Sequence, residues 1–131
     1  MSQQKDLKKS QDLGNRFERV KSLFLEIEKE IKFQESQGKL APDGCWIVRY
    51  QARGKGGTYW YYKWQSREAI FVTRDGKKSC HKYIGKAGSS AFMEAVEMMI
   101  RRTKIESLQQ VRHTLELGLS DLVEEATRHD E

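Results

Sequence analysis

The stretch from Cys45 to Lys86 constrains the fold more than any other part of the chain, because two glycine-containing turns divide it into short aromatic segments. The turns are Gly54-Lys55-Gly56-Gly57 and Arg74-Asp75-Gly76-Lys77. Glycines at such positions supply the positive backbone angles of tight hairpins. The flanking segments alternate with the period of two that is typical of strands. The stretch therefore predicts an antiparallel sheet of three to four strands.

Alternation along the first two strands predicts which side chains form the core. In both strands every second residue is a large apolar one, so we predict a core of Trp46, Val48, Tyr50, Trp60, Tyr62 and Trp64. The opposite face would then group Arg49, Gln51, Arg53, Tyr59, Tyr61 and Lys63. In the last strand, Cys80, Lys82 and Ile84 should share a face opposite His81 and Tyr83. One sheet face is thus predicted to be basic and aromatic.

Positive charge is concentrated in the same segment. Residues 39 to 86 hold eleven Lys and Arg against three acids, a net of +8, whereas the whole chain is +5 and the remainder therefore sums to −3. Such a local excess favours an anionic partner. We expect the nucleic-acid-binding residues to be Arg49, Gln51, Arg53, Lys55, Tyr59, Tyr61, Lys63, Arg67, Arg74, Lys77, Lys78, Lys82 and Lys86.

The N-terminal region predicts one long helix. Apolar residues follow an unbroken alternation of four and three, which is a heptad stripe: Leu13, Phe17, Val20, Phe24, Ile27 and Ile31. The helix should occupy residues 11–38 after a flexible tail of residues 1–10, with Gly38 at its end. Two interpretations stay open for the stripe. It would either form a coiled-coil homodimer or pack on the chain's own sheet.

A second helical region follows the sheet. Ser89 or Ser90 would cap a helix whose apolar residues recur at helical spacing as far as Leu117, and Gly118 should interrupt it before a short final helix. The predicted organisation is a sheet over residues 39–88 and a helical segment over residues 89–131. Together these elements predict an α+β fold, a single globular domain in which both helices pack on one face of the sheet.

Several kinds of site are not expected from this sequence. No long apolar run is present, so we expect a cytoplasmic or nucleoid-associated protein without a membrane segment. Cys80 and His81 are adjacent in a strand, so their side chains would point to opposite faces and could not act as a nucleophile and base pair. The two cysteines lack metal-ligand spacing, and we expect neither a metal nor another cofactor.

The order of elements, together with WIVRYQARGKGG, TYWYYKW and KKSCHKYIGKAGSSAFMEA, resembles two families of sheet-type DNA-binding domain. These are the arm-binding domains of tyrosine recombinases and the plant ethylene-response domains. The resemblance covers roughly residues 45–102. It implies a three-stranded sheet in the DNA major groove with one helix behind it, and Arg49, Arg53, Tyr61 and Lys63 facing DNA. The chain departs from both families in its long heptad helix, and it lacks the recombinase catalytic domain.

The combined features predict non-catalytic DNA binding through the basic face of the sheet, as in a transcription regulator or a mobile-element accessory factor. Two alternatives remain open. One is a protein-interaction adaptor that uses the heptad helix, and the other is RNA binding through the aromatic strand.

Overall fold

The computed structural model describes the backbone of residues 2–130 and the side chains of residues 3–128, and its fold is α+β. The elements in chain order are α1 (Ser2–Ser36), β1 (Cys45–Gly54), β2 (Gly57–Ser66), β3 (Phe71–Val72), β4 (Lys78–Ser79), β5 (His81–Gly85) and α2 (Ser90–Asp130). The predicted class, with an antiparallel three-stranded sheet and two long helices, is confirmed.

The chain divides into two compact units. The sheet unit comprises residues 37–103, which include all five strands and the first part of α2. The helical unit comprises α1 and the part of α2 from Lys104 onward.

The main sheet has the order β1-β2-β5, and all its pairs are antiparallel. Gly56 and Gly57 have φ angles of 88° and 142°, which is why glycines occupy this hairpin turn. The second predicted hairpin also forms, although its return strand is divided at Cys80. Its first part, β4, pairs with β3 in a separate two-stranded sheet, while β5 joins the edge of β2.

One side of the main sheet is covered by the first turns of α2. The buried core consists of Ala41, Cys45, Trp64, Ile84 and Ala95, and Ile47, Tyr62, Phe71, Phe92, Met98 and Met99 pack against it. Ser89 caps α2 as predicted, because its Oγ accepts a hydrogen bond from the Phe92 N–H at 3.2 Å. The Arg102 guanidinium donates to the Ala41 carbonyl at 2.9 Å and so fastens the segment before β1 to this helix.

In the helical unit, α1 lies beside the C-terminal part of α2. Helix α1 begins at Ser2, so the described part of the predicted flexible tail is helical. The heptad stripe faces α2, with Val20 next to Gly118 and Ile31 buried. Its intramolecular partner is therefore a helix of the same unit. Arg16 donates to Glu125 at 2.6 Å, which links the two helices at their far end.

Gly118 does not interrupt α2, contrary to our prediction, and the helix runs unbroken from Ser90 to Asp130. A glycine within a helix costs about 1 kcal/mol relative to alanine, which is small compared with the packing of a long helix. Within the described residues, neither long helix is apolar enough over a sufficient length to cross a bilayer.

Candidate nucleic-acid interface

The two faces of β1 are exchanged relative to the sequence prediction. Ile47 lies directly across from Trp64, and Arg49 lies directly across from Tyr62. Residues that are opposite each other in a ladder point to the same face, so Arg49 shares the helix-covered face with the β2 core. Our grouping of Arg49, Gln51 and Arg53 with the second-strand tyrosines was wrong, and so was the assignment of Trp46, Val48 and Tyr50 to the core.

The two faces of β1 are exchanged because α2 covers only the first part of this strand. The core takes only Cys45 and Ile47 from β1, both near its start. Beyond Ile47 this face of β1 is no longer covered by the core. The polar side chains there remain exposed to water, so they incur no desolvation cost. Both faces of β1 carry apolar side chains at this end, and alternation alone cannot choose between them.

The face of the sheet away from α2 is aromatic, and we call it the open face. Its strand positions are Trp46, Val48, Tyr50, Ala52, Tyr59, Tyr61, Lys63, Gln65, His81 and Tyr83. Trp46 is 38% exposed and Tyr83 is 61% exposed. None of these described strand positions carries an acidic side chain. Tyr59, Tyr61 and Lys63 therefore lie on an uncovered face, as the sequence predicted.

Three tyrosines form a row across the three strands of the open face. The ring centroids of Tyr50 and Tyr61 are 6.0 Å apart, and those of Tyr61 and Tyr83 are 6.1 Å apart. Lys63 Nζ lies 4.9 Å from the Tyr50 ring centroid, within cation–π distance. Each strand of the sheet thus contributes one ring, and a lysine lies beside the row.

Tyr59 extends this aromatic surface toward the hairpin turn. Its hydroxyl donates a hydrogen bond to the Lys55 carbonyl at 2.8 Å. The turn glycines make room for the ring, since a Cβ on Gly56 would approach Tyr59 Oη to 2.9 Å. Lys86 Nζ lies 4.8 Å from the Tyr59 ring and 5.8 Å from the Tyr61 ring. Lys86, which follows β5, is thereby brought to the open face.

The helix-side face of the distal half of the β1–β2 hairpin, together with its turn, forms a second basic surface that we call the ribbon end. Strand β5 pairs with β2 only between Tyr62 and Gln65, so the ribbon end is two-stranded. The ribbon end carries Arg49, Gln51 and Arg53, all exposed, and Lys55 lies in the turn. The Arg49 guanidinium lies 4.0 Å from the ring centroid of Trp60, which is 47% exposed. Arg49 is held by this stacking contact and remains exposed to solvent.

The remaining predicted residues lie elsewhere in the sheet unit. Lys82 lies on the helix side of β5, next to Trp64 in the ladder. The other four are exposed in the loop after β2 and around the β3–β4 hairpin: Arg67, Arg74, Lys77 and Lys78. The Thr73 hydroxyl donates to the Asp75 carboxylate in this hairpin, and this hydrogen bond lowers the pKa of Asp75. The structure therefore distributes the predicted residues over the open face, the ribbon end, the region around the β3–β4 hairpin and the helix side of β5.

The two units carry net charges of opposite sign. The sheet unit holds 13 Lys and Arg against 5 acids, which gives +8, while the rest of the chain holds 11 against 14, which gives −3. An excess of this size on 67 residues attracts polyanions and raises their rate of association.

The chain was compared with family models, curated proteins and solved structures. No match was found in any of the three. Over the described residues, no three His, Cys, Asp or Glu side chains come together in a group that could hold a metal ion.

Sequence reasoning missed three aromatic residues of the open face: Trp46, Tyr50 and Tyr83. For Tyr83 a signal existed, because it alternates with the apolar Ile84 and so had to lie opposite the core. For Trp46 and Tyr50 the alternation correctly predicts that the two residues share a face. The prediction that this face is the core is wrong, because it is the open face. Chemically, the combined surfaces can bind phosphates through Arg and Lys and can stack bases on tyrosine rings.

Proposed function

We propose that this chain is a non-catalytic DNA-binding protein that contacts DNA through its sheet unit. The observation that carries this proposal is the ribbon end, which presents Arg49, Arg53 and Lys55 on a two-stranded projection of a unit with net charge +8. A two-stranded ribbon has the dimensions to enter a major groove. Charge-assisted contacts from these cations to phosphates would supply the affinity.

The arrangement of elements supports the same proposal. Three antiparallel strands are followed by one helix, α2, whose first turns pack behind the sheet and leave the other face uncovered. The resemblance to sheet-type DNA-binding domains implies such an arrangement. Of the residues that the resemblance implies, Tyr61 and Lys63 lie on the open face and Arg49 and Arg53 on the ribbon end. In our proposal the arginines of the ribbon end reach the phosphates of the duplex.

A regulatory or accessory role would follow from the helical unit. That unit has net charge −3, so it would not compete with the sheet unit for DNA. It would instead link the DNA-binding unit to another molecule, as a transcription regulator or a mobile-element accessory factor requires.

The proposed function is tested by a salt titration of binding to a random-sequence duplex, followed by fluorescence anisotropy. The wild-type chain should bind at low salt, and the logarithm of its affinity should fall linearly with the logarithm of salt concentration. The double variant Arg49→Gln with Arg53→Gln should bind more weakly, with a slope reduced by roughly one for each lost phosphate contact.

The matched control is Lys29→Gln with Lys32→Gln, because it removes the same charge from exposed positions of α1. This control should bind as the wild type does. Absence of wild-type binding at low salt would refute the proposal. An equal loss in both double variants would show that net charge alone, and not the ribbon end, governs binding.

A protein-interaction adaptor is the second candidate, and one observation favours it. The heptad stripe is only partly covered, since Phe17 is exposed beside Leu13 and Val123 along a groove of the helical unit. Sedimentation of the purified chain would detect a homodimer through this groove. Phe17→Ser should return such a dimer to a monomer.

A further inference from the structure

We infer that the open face is a binding site for single-stranded nucleic acid, which takes unpaired bases on the row formed by Tyr50, Tyr61 and Tyr83. This inference rests on the proposed function and deepens it, because it names the form of nucleic acid that the sheet accepts. It involves the opposite face of the hairpin from the arginines of the ribbon end.

The first argument is the geometry of the row. Its two centroid separations, 6.0 and 6.1 Å, are nearly equal, so the rings repeat at a regular interval across the strands. Stacked bases within a DNA strand rise by about 3.4 Å. A strand laid across the row with one base on each ring would therefore be stretched and unstacked, and this is the conformation in which single-strand binding proteins hold their ligands.

The second argument is that the face is aromatic yet uncovered. The middle ring, Tyr61, is half-buried by its neighbours, and Tyr83 at one end of the row is 61% exposed. Trp46, on the same face of β1, is also exposed. An exposed aromatic surface of this kind generally marks a binding site, and π-faces accept any base.

The third argument is charge complementarity, which identifies the occupant. Lys63 and Lys86 lie over rings of this face, and its described strand positions carry no acid to repel a phosphate. Cation–π contacts at exposed sites are weaker than base stacking on an aromatic ring. An arriving base would therefore displace the lysine from the ring, and the ammonium group would move to the adjacent phosphate.

The alternation of rings and cations distinguishes this site from a protein-docking surface. An apolar partner that covered the rings would displace the lysines. It would offer their ammonium groups no new ionic contact, and this loss costs free energy. A single strand supplies one phosphate for each base, so both kinds of side chain retain a partner.

The test measures binding of labelled 15-nucleotide oligo-dT, labelled 15-nucleotide oligo-U and a 15-base-pair duplex by anisotropy at one salt concentration. The double variant Tyr50→Leu with Tyr83→Leu removes two rings without a change of charge. We expect it to bind at least one of the two single strands about tenfold more weakly while its duplex binding stays within twofold of wild type. The single strand that the wild type binds more tightly identifies DNA or RNA as the preferred ligand.

Two controls keep the test specific. Tyr50→Phe with Tyr83→Phe retains the rings and should bind single strands as the wild type does. Phe33→Leu removes an exposed ring of α1 and should have no effect. If circular dichroism shows that the double leucine variant is unfolded, the measurement is repeated with Tyr83→Leu alone, the most exposed member of the row.

The outcomes separate this inference from the proposed function. Unchanged single-strand binding by the leucine variant, or equal losses for the leucine and phenylalanine variants, would overturn the inference. A wild-type chain that binds only the duplex would overturn the inference and leave the proposed function standing. A wild-type chain that binds only single strands would support the inference and refute duplex binding at the ribbon end, and one that binds none of the three ligands would refute both.

Discussion

Tyr50 of β1 lies directly opposite Tyr61 of β2, and their ring centroids are 6.0 Å apart on a face that α2 does not cover. A pair of this kind normally helps to hold a buried sheet together. Here it lies on the uncovered side, where its contribution to stability and its use in binding can be measured separately.

The tyrosine pair should couple β1 and β2 by about 0.5–1 kcal/mol, because cross-strand aromatic contacts contribute this much beyond the area they bury. A double-mutant cycle with Tyr50→Leu and Tyr61→Leu, followed by urea unfolding, measures the coupling. The control cycle combines Tyr50→Leu with Phe33→Leu on α1 and should give a coupling near zero. A coupling below about 0.2 kcal/mol for the tyrosine pair would mean that the rings merely lie near each other.

Ile105 of α2 should be the most costly residue to truncate in the helical unit. It is 1% exposed, and Ile105→Ala is expected to lower the free energy of unfolding by about 2–5 kcal/mol through lost burial and the cavity left behind. Ile100→Ala is the matched control in the same helix, since Ile100 is 48% exposed and should cost less than about 1 kcal/mol. Similar losses for the two variants would contradict the assigned burial.

Two glycine substitutions should change stability in opposite directions. Gly118→Ala should stabilise α2 by about 0.5–1 kcal/mol, because alanine is the better helix former and its Cβ would lie at an ordinary 3.9 Å from Val20 Cγ1. Gly56→Ala should destabilise the hairpin by about 1–2 kcal/mol, since φ is +88° there. Thermal unfolding of both variants tests the pair, and a gain from Gly56→Ala would rule out the described turn.

The Asp75 carboxylate in the β3–β4 hairpin should titrate below the usual range for aspartate. The Thr73 hydroxyl bonds its ionised form and lowers its pKa, so Thr73→Val should raise that pKa toward the ordinary value of about 3.9. The stabilisation of the folded state by this hydrogen bond is fully present above the unfolded-state pKa of Asp75. It is lost as pH falls through the lower folded-state pKa. NMR titration of the side-chain carboxyl carbon reports this value. Thr103→Val, remote in sequence from the hairpin, should leave it unchanged.

Much of the sheet unit could be predicted from local patterns. Glycines in the turn between β1 and β2 predicted the hairpin, because the backbone there needs positive φ angles. The alternation in β2 correctly placed Trp64 in the core and Tyr61 opposite it. These features depend on neighbours in the sequence, so the sequence is sufficient to predict them.

The helices show where local patterns stop being informative. The heptad stripe predicted the helix and its apolar face, but several partners satisfy the same stripe equally well. The structure pairs it with α2 within the helical unit. Gly118 was read as a break because propensity was weighed alone, whereas the packing of a continuous helix outweighs the cost of one glycine.

The sequence by itself determined the β1–β2 hairpin, the turns, the helical character of the segments on either side of the sheet and the basic character of residues 39 to 86. Only the tertiary structure decided which face of β1 meets the helix. Alternation defines two faces, and in β1 both carry apolar residues, so the choice depended on where α2 covers the sheet. That coverage takes Cys45 and Ile47 into the core, leaves the tyrosine row open and turns Arg49 to the other side of the ribbon.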